Sequence, residues 1–147
     1  MADTTLIIRK ADNGDIASLT YLVNELGYKT TQEEMQHRLE NIYQQPNYNT
    51  LVACFKGIIT GMVGTSLNYF YEQNGTYVRI VVLVTHSDYR RKGIGKALLE
   101  AVESWARHMG ATCILLNCGN RKERKTAHDF YCKRGFAAKS TGYFKLL

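Results

Sequence analysis

The sequence predicts a single α/β domain, built on a mixed sheet with helices on both faces. Its middle part has the pattern of strands joined by turns at Lys56-Gly57 and Asn74-Gly75. A β-α-β unit follows, in which a long amphipathic helix joins the strands "RIVVLVT" and "TCILLN", and such a crossover makes the two strands parallel. No linker, repeat or low-complexity tract interrupts the chain, so we expect residues 1–147 to form one domain.

The other elements follow from hydrophobic spacing. A first strand is predicted in "TLIIR", and apolar residues recur at helical intervals in "DIASLTYLVNELG", in "TTQEEMQHRLENI" and from Ile94 to Met109. Thr30 and Glu33 have capping-box spacing at the start of the second helix, and Gly110 ends the third. We expect "TCILLN" to be buried, "KTAHDFYCKRG" to be a short helix, and "FAAKSTGYFKLL" to supply a final strand or strand pair.

Charge and composition restrict the function only broadly. A formal net charge of +6 favours an anionic partner, which leaves nucleic acid, acidic lipid and phosphorylated cofactors open. The four cysteines lack C-x-x-C spacing and lie in apolar or helical contexts, which predicts buried free thiols and a reducing compartment. Without a signal peptide or a membrane span in the sequence, we expect a cytoplasmic protein with no membrane partner. The four histidines show no metal-ligand spacing, so no metal is expected.

A basic, glycine-containing loop precedes the long helix in "DYRRKGIGK". Unpaired N–H groups and the dipole at a helix N-terminus favour a bound anion, and glycine lets a phosphate approach the backbone. Neither a Walker loop nor a dinucleotide fingerprint fits, because Ala97 follows Lys96 and Leu98 occupies the position of the third glycine. From the residues alone, a phosphate site and an ordinary solvated loop are both open.

The pattern that does fit is R-x-x-G-x-G, from Arg90 to Gly95, between a strand and a long helix. Here "VVLVTHSDYRRKGIGKALLEAVESWARHMG" resembles the acetyl-CoA-binding motif of the GCN5-related N-acetyltransferases, the GNAT family. The later "LNCGNRKERKTAHDFYCKRGF" is similar to that family's next motif. The resemblance covers nearly the whole chain and is strongest over residues 80–136. It implies a mostly antiparallel sheet with a central, splayed parallel strand pair.

The resemblance also implies a site for acetyl-CoA. Main-chain groups of the strand end would pair with the pantetheine arm, N–H groups from Arg91 to Lys96 would hold the pyrophosphate, and two asparagines would lie near the arm. The cofactor-binding residues expected on this basis are Leu83, Val84, Thr85, Arg90, Arg91, Lys92, Gly93, Ile94, Gly95, Lys96, Asn117 and Asn120.

Tyr131 matches the tyrosine that lies beside the thioester sulfur in many family members, and it is the expected catalytic general acid. A tyrosine with an ordinary pKa of about 10 can donate a proton to a departing thiolate. Packing against Phe130 is the competing interpretation. Many members carry a glutamate near the position of Val81, but this strand has no carboxylate. Glu25, Glu72, a water chain or a substrate amine that is already neutral are the alternatives, and no base is assigned.

Two weaker candidates for chemistry are His86, interpreted as a solvated loop histidine, and Cys132, interpreted as buried packing. Five tyrosines are candidates for lining the acceptor pocket: Tyr21, Tyr28, Tyr69, Tyr71 and Tyr77.

The function that follows is acetyl transfer to a primary amine of a small molecule or a protein, by direct attack in a ternary complex. An inactive coenzyme A-binding regulatory module is the alternative, favoured by the missing glutamate. Nucleic-acid binding is motivated only by basic clusters, and no such partner is expected. The sequence does not identify the acceptor. A homodimer through the carboxy-terminal strands is a further expectation.

Overall fold

The computed structural model describes residues 5–118 and 125–147. Two compact units are present, the first extending to Leu115 and the second from Leu116 to Leu147. The described strands are β1 (Leu6–Lys10), β2 (Tyr48–Phe55), β3 (Ile58–Tyr69), β4 (Thr76–Thr85) and β5 (Cys113–Leu116). The described α-helices are α1 (Ile16–Glu25), α2 (Gln32–Tyr43), α3 (Ile94–His108) and α4 (Lys125–Lys133).

The sheet has the mixed topology that the sequence predicts. Its strand order is β1-β2-β3-β4-β5, and the first four strands pair antiparallel in sequence order. The chain crosses over through α3 before β5, which runs parallel to β4. At the start of both strands the N–H of Thr112 donates to the carbonyl oxygen of Thr76 at 2.9 Å. The expected fold class is therefore confirmed.

Helices cover the two faces of this sheet. Leu19 and Leu22 of α1 and Leu39 of α2 are buried in one cluster with Met62 and other strand residues. Gly61 faces the other way along β3, since successive residues of a strand alternate. A Cβ atom at Gly61 would lie 2.9 Å from Cγ2 of Ile94, so α3 packs on the face opposite to α1 and α2.

The helix boundaries agree with the sequence except at α2. The N-cap of α2 is Thr31, whose hydroxyl accepts from the N–H of Glu34 at 3.1 Å, while the Glu34 carboxylate accepts from the N–H of Thr31. The expected capping box of Thr30 and Glu33 is wrong by one residue. Thr30 is instead buried, where its N–H donates to Asn24 and fixes the turn between the helices.

Both predicted turns connect antiparallel strands. Lys56 and Gly57 form the two-residue connection between β2 and β3, with φ of 52° and 78°. Gly75, with φ of 104°, precedes β4 directly. The connection in which Asn74-Gly75 lies begins after Tyr69 and is longer than a two-residue turn.

Three expectations about the carboxy-terminal part are wrong. β5 is not fully buried, because Cys113 and Leu115 on one side of the strand are exposed. Cys132 is exposed as well, so only Cys54 and Cys118 keep partial burial among the four free thiols. The tail from Phe136 onwards contains no strand. A strand needs partners for its N–H and C=O groups, and the described part of the second unit provides none for the tail.

A partly buried ion pair joins β1 to the start of α1. The two terminal nitrogens of Arg9 each donate to one carboxylate oxygen of Asp15 at 2.8 Å, and the N–H of Asp12 donates to the same carboxylate at 2.9 Å. The Asp15 side chain is 6% exposed. The hydrogen bonds from Arg9 lower the pKa of Asp15 more than burial raises it. The carboxylate therefore stabilises the fold while it stays ionised.

We expect Asp15→Asn to lower the free energy of unfolding by about 1–3 kcal/mol near neutral pH, because the bidentate pair with Arg9 is lost. The pKa of Asp15 is lower in the folded than in the unfolded chain. The extra stability of wild type over Asp15→Asn is thus fully present above the pKa of about 4 that Asp15 has in the unfolded chain. It is lost as pH falls through the lower pKa that Asp15 has in the folded chain. Urea unfolding at neutral and acidic pH measures this, with the exposed Asp129→Asn as control. Equal stability of Asp15→Asn and wild type at neutral pH would contradict the prediction.

Candidate functional site

The loop between β4 and α3 forms the main candidate site. β4 ends at Thr85 and α3 begins at Ile94, and between them a single 3₁₀ turn (Ser87–Tyr89) precedes the basic stretch Arg90–Gly93. Because the chain crosses over from β4 through α3, this stretch lies at the carboxyl end of β4. Open α/β sheets bind their ligands at that end of the strands.

The N-terminus of α3 offers unpaired hydrogen-bond donors. Gly93 is the N-cap residue, with φ of 79° and ψ of 11°, and no side chain caps the helix. The N–H of Ala97 donates to the carbonyl oxygen of Gly93 at 3.0 Å. The N–H groups of Ile94, Gly95 and Lys96 precede this first helical bond and have no acceptor within the helix. They form the positive end of the helix dipole.

The backbone and the charges of the loop fit an anionic group at this helix end. Arg91 has a positive φ of 63°, which is uncommon for a residue with a side chain, and Gly93 follows with another. A Cβ at Gly93 would meet nothing within 4 Å, so the space over the helix end is open. Arg90, Arg91, Lys92 and Lys96 are all exposed there. Exposed cations, free N–H donors and open space together suit a pyrophosphate.

The second half of β4 lies next to this loop and carries the expected pantetheine-binding residues. β5 begins beside Thr76, the first residue of β4, and has only four residues, whereas β4 has ten. The second half of β4 therefore extends past the end of β5. Leu83, Val84 and Thr85 belong to this continuing part. Val84 is buried, with only 6% of its surface exposed, and its side chain packs this part of β4 against the core.

A β-bulge at Val81 is a feature that sequence reasoning missed. Across β3, Val82 pairs with Gly64 and Ile80 with Thr65, so Val81 is the extra residue of β4. Its side chain is 54% exposed. An exposed valine thus lies near the position at which the family resemblance implies a glutamate. A bulge has no sequence signature in "RIVVLV", which is apolar throughout.

A second cluster joins α1 to the loop. Both carboxylate oxygens of Glu25, the last residue of α1, lie 3.2 Å from the N–H nitrogen of Ser87. Nδ1 of His86 is 3.7 Å from Glu25 Oε1 and accepts the N–H of Asp88 at 3.1 Å. The His86 ring stacks on Tyr21 with centroids 4.8 Å apart. With its side chain 17% exposed, His86 is packed, and its interpretation as a solvated histidine is wrong.

The two carboxylates named as alternative bases have different environments. Burial acts to raise the pKa of Glu25, but hydrogen bonds from Ser87 and the charges of His86 and Arg90 outweigh it and the pKa is lowered. A carboxylate with a lowered pKa is a weaker base. Glu72 is exposed in the connection between β3 and β4. Neither environment favours proton abstraction.

Tyr131 and Asn117 belong to the second unit. Tyr131 lies on α4, where its ring contacts those of Phe130 and Phe136 at centroid distances of 5.4 and 5.7 Å. Asn117 is exposed, and the tail passes its side chain at Gly142. Asn120 lies outside the described residues. The roles of these three residues stay predictions.

The five candidate acceptor-pocket tyrosines do not share one environment. Tyr21 stacks on His86, and Tyr77 packs against Phe70 with centroids 4.8 Å apart. The remaining three are strongly exposed: Tyr28, Tyr69 and Tyr71.

Within residues 5–118 and 125–147, no group of three or more His, Cys, Asp or Glu side chains is arranged to hold a metal ion. In the same residues, no helix combines the length and the apolar character that crossing a membrane requires.

Comparisons with known proteins identify the family. Residues 16–136 match the acetyltransferase (GNAT) family. YhdJ of Bacillus subtilis (strain 168), an uncharacterised N-acetyltransferase, is 32% identical over 120 residues, which are 81% of this chain and 82% of that protein. The crystal structure of a GNAT family acetyltransferase from Staphylococcus aureus is 31% identical, with a TM-score of 0.84 over 97% of this chain and 99% of that one.

A further solved structure, glucosamine-6-phosphate N-acetyltransferase from Arabidopsis thaliana, is 27% identical, with a TM-score of 0.80 over 97% of this chain and 98% of that one. The family match covers most of the chain and includes the loop and helix described above. The resemblance of the two sequence motifs is therefore confirmed, and the chain belongs to the GNAT acetyltransferase family.

Proposed function

We propose that this protein is an acetyl-CoA-dependent N-acetyltransferase that acts on a primary amine, with residues 1–147 as one catalytic domain. The observation that carries the proposal is the uncapped N-terminus of α3 behind a basic loop at the end of β4, in a chain of the acetyltransferase family. Membership of the family supports acetyl transfer. The free thiols, two of them exposed, suit the reducing compartment of a cytoplasmic protein.

The described residues suit coenzyme A in two places. The N–H groups from Arg91 to Lys96 would hold the pyrophosphate, with the exposed cations Arg90, Arg91, Lys92 and Lys96 around it. Main-chain groups of Leu83, Val84 and Thr85 would pair with the pantetheine arm as an added strand does, because β4 extends past β5. Asn117 and Asn120 would lie near the arm.

Bound acetyl-CoA would supply the thioester that the amine attacks directly. An amide bond would form while the amine nitrogen gives up one proton to water, the bond between the acetyl carbon and sulfur would break, and the sulfur would take a proton. Tyr131 is the residue proposed to donate that proton. Holding the amine and the thioester together lowers the activation free energy by several kcal/mol, and this is the main contribution proposed for the protein.

The acceptor is proposed only as a class. The Arabidopsis relative is named for an amino sugar phosphate, which is a small primary amine. Val81 provides no carboxylate and the lowered pKa of Glu25 makes that group a weaker base, so neither position is suited to deprotonate an ammonium. We therefore propose an acceptor whose amine is neutral when it binds or loses its proton to water.

The inactive coenzyme A-binding module remains the second candidate, because the bulge that exposes residue 81 carries a valine. Such a module would bind coenzyme A with the same loop but would release no thiol from acetyl-CoA in the presence of amines. Binding calorimetry and a thiol-release assay on one preparation separate the two candidates.

A charge at position 93 tests the pyrophosphate site. We expect Gly93→Glu to bind coenzyme A at least about tenfold more weakly than Gly93→Gln. A repulsion of about 1.4 kcal/mol between the new carboxylate and the pyrophosphate is enough for this difference. The two variants share the positive φ and nearly the same side-chain volume, so glutamine controls for strain and size. Calorimetric titration gives both affinities. Equal affinities would show that no phosphate lies at this helix end.

Removing one hydroxyl tests the general acid. We expect Tyr131→Phe to lower kcat by about 10²- to 10⁴-fold with little change in the KM for acetyl-CoA. Phenylalanine keeps the ring contacts with Phe130 and Phe136, so the fold of α4 should persist. Thiol release under saturating acetyl-CoA measures the rate, and the exposed Tyr143→Phe is the matched control. An unchanged kcat would remove the role assigned to Tyr131.

A further inference from the structure

The end of α1 holds the start of the β4–α3 loop through one side chain. Glu25 accepts the N–H of Ser87 with both carboxylate oxygens at 3.2 Å, although the two residues are 62 positions apart in sequence. The Glu25 side chain is 15% exposed. Partial burial strengthens such a charge-assisted bond relative to one at the open surface. A helix on one face of the sheet is thereby linked to the loop that precedes α3.

Contacts on the other side of Ser87 complete the attachment. The N–H of His86 donates to the carbonyl oxygen of Thr60 in β3 at 2.8 Å. The His86 ring stacks on Tyr21, which lies four residues before Glu25 and thus on the same face of α1. Thr60 of β3 thus accepts the N–H of His86, and Glu25 of α1 accepts the N–H of the next residue, Ser87.

The attachment continues towards the basic stretch. Ser87–Tyr89 is a 3₁₀ turn, in which the N–H of Tyr89 donates to the carbonyl oxygen of His86 at 2.9 Å. The Tyr89 ring meets the His86 ring edge-on at 5.3 Å, and Nζ of Lys92 lies 5.7 Å from the Tyr89 centroid. The turn that Glu25 fixes therefore ends where Arg90 begins the loop.

We propose that Glu25 is a positioning residue, whose bond to Ser87 fixes the 3₁₀ turn and thereby the backbone of Arg90–Gly93 in the form that receives the pyrophosphate. This inference rests on the proposed function of the loop. Arg91 needs a left-handed backbone conformation that a free loop rarely adopts at a residue with a side chain, so an anchor upstream lowers the entropy that ligand binding would otherwise lose. In this role the Glu25 carboxylate accepts a hydrogen bond from Ser87 and takes no proton from the substrate.

Two single variants break the bond from opposite sides. Glu25→Ala removes the acceptor. Ser87→Pro removes the donor N–H at the first position of a 3₁₀ turn, where proline is favoured. His86, with φ of −53° and ψ of 132°, lies close to the polyproline II region and outside the α region that a following proline disfavours. The proline variant therefore should fold even if the alanine variant is unstable.

We expect each variant to raise the Kd for coenzyme A about tenfold, which corresponds to about 1.4 kcal/mol for one charge-assisted hydrogen bond. The double variant should bind no more weakly than either single one, because both remove the same bond. Glu25→Gln should recover most of the affinity, since its amide oxygen accepts the same N–H. The exposed Glu33→Ala is the control for loss of one negative charge.

Calorimetry for coenzyme A and steady-state kinetics for acetyl-CoA and a primary amine distinguish the outcomes. A raised KM for acetyl-CoA in Glu25→Ala, with kcat within about twofold of wild type, would support positioning. A loss of kcat in Glu25→Gln at unchanged affinity would instead assign Glu25 as a base and overturn the inference. Wild-type affinity in Glu25→Ala or in Ser87→Pro would also overturn it. Absence of binding by the wild-type protein would overturn the proposed function itself.

Discussion

The candidate site depends on how closely α3 approaches the sheet at Gly61. A Cβ at this residue would lie 2.9 Å from Ile94 Cγ2, 3.1 Å from Leu98 Cδ1 and 3.1 Å from the carbonyl oxygen of Val84. A residue with a Cβ here would require the Ile94 side chain to shift and the Leu98 side chain and the Val84 carbonyl to give by a few tenths of an ångström. Because glycine is present, the N-terminus of the helix lies at the carboxyl end of β4, and its unpaired N–H groups meet the basic loop there.

This arrangement carries a stability cost that an anion would offset. A side-chain N-cap is worth about 1 kcal/mol to a helix, and α3 has none. A residue with a side chain in the left-handed region, as Arg91 is, costs about 1–2 kcal/mol. Arg90, Arg91 and Lys92 are consecutive exposed cations, which repel one another as well. Proteins retain such local costs mainly at functional sites, where a ligand's charge and acceptors relieve them. The coincidence of all three at one helix end therefore argues for a phosphate ligand.

Local sequence patterns predicted the elements well and the contacts between them poorly. The apolar spacing from Ile94 to Met109 predicted α3, and the glycines and cations before it predicted the basic loop. The capping box of α2 was misplaced because Thr30-Thr31 and Glu33-Glu34 are doublets, so both registers satisfy the same pattern. The bond between Glu25 and Ser87 could not be predicted, since it joins residues 62 positions apart and depends on the sheet being formed.

The bulge at Val81 concerns the relative contributions of positioning and proton transfer to the proposed reaction. A bulge turns one side chain out of the regular alternation of β4, and a carboxylate there would face solvent beside the continuing strand. Valine at this position provides no acceptor for a proton, and Glu25 already accepts the N–H of Ser87. Val81 and Glu25 thus offer positioning rather than proton abstraction, and Tyr131 is the one residue proposed to transfer a proton. If the proposed acetyl transfer obtains most of its rate from proximity, the rigidity of the β4–α3 loop, and with it the proposed anchor at Glu25, would contribute most to that transfer.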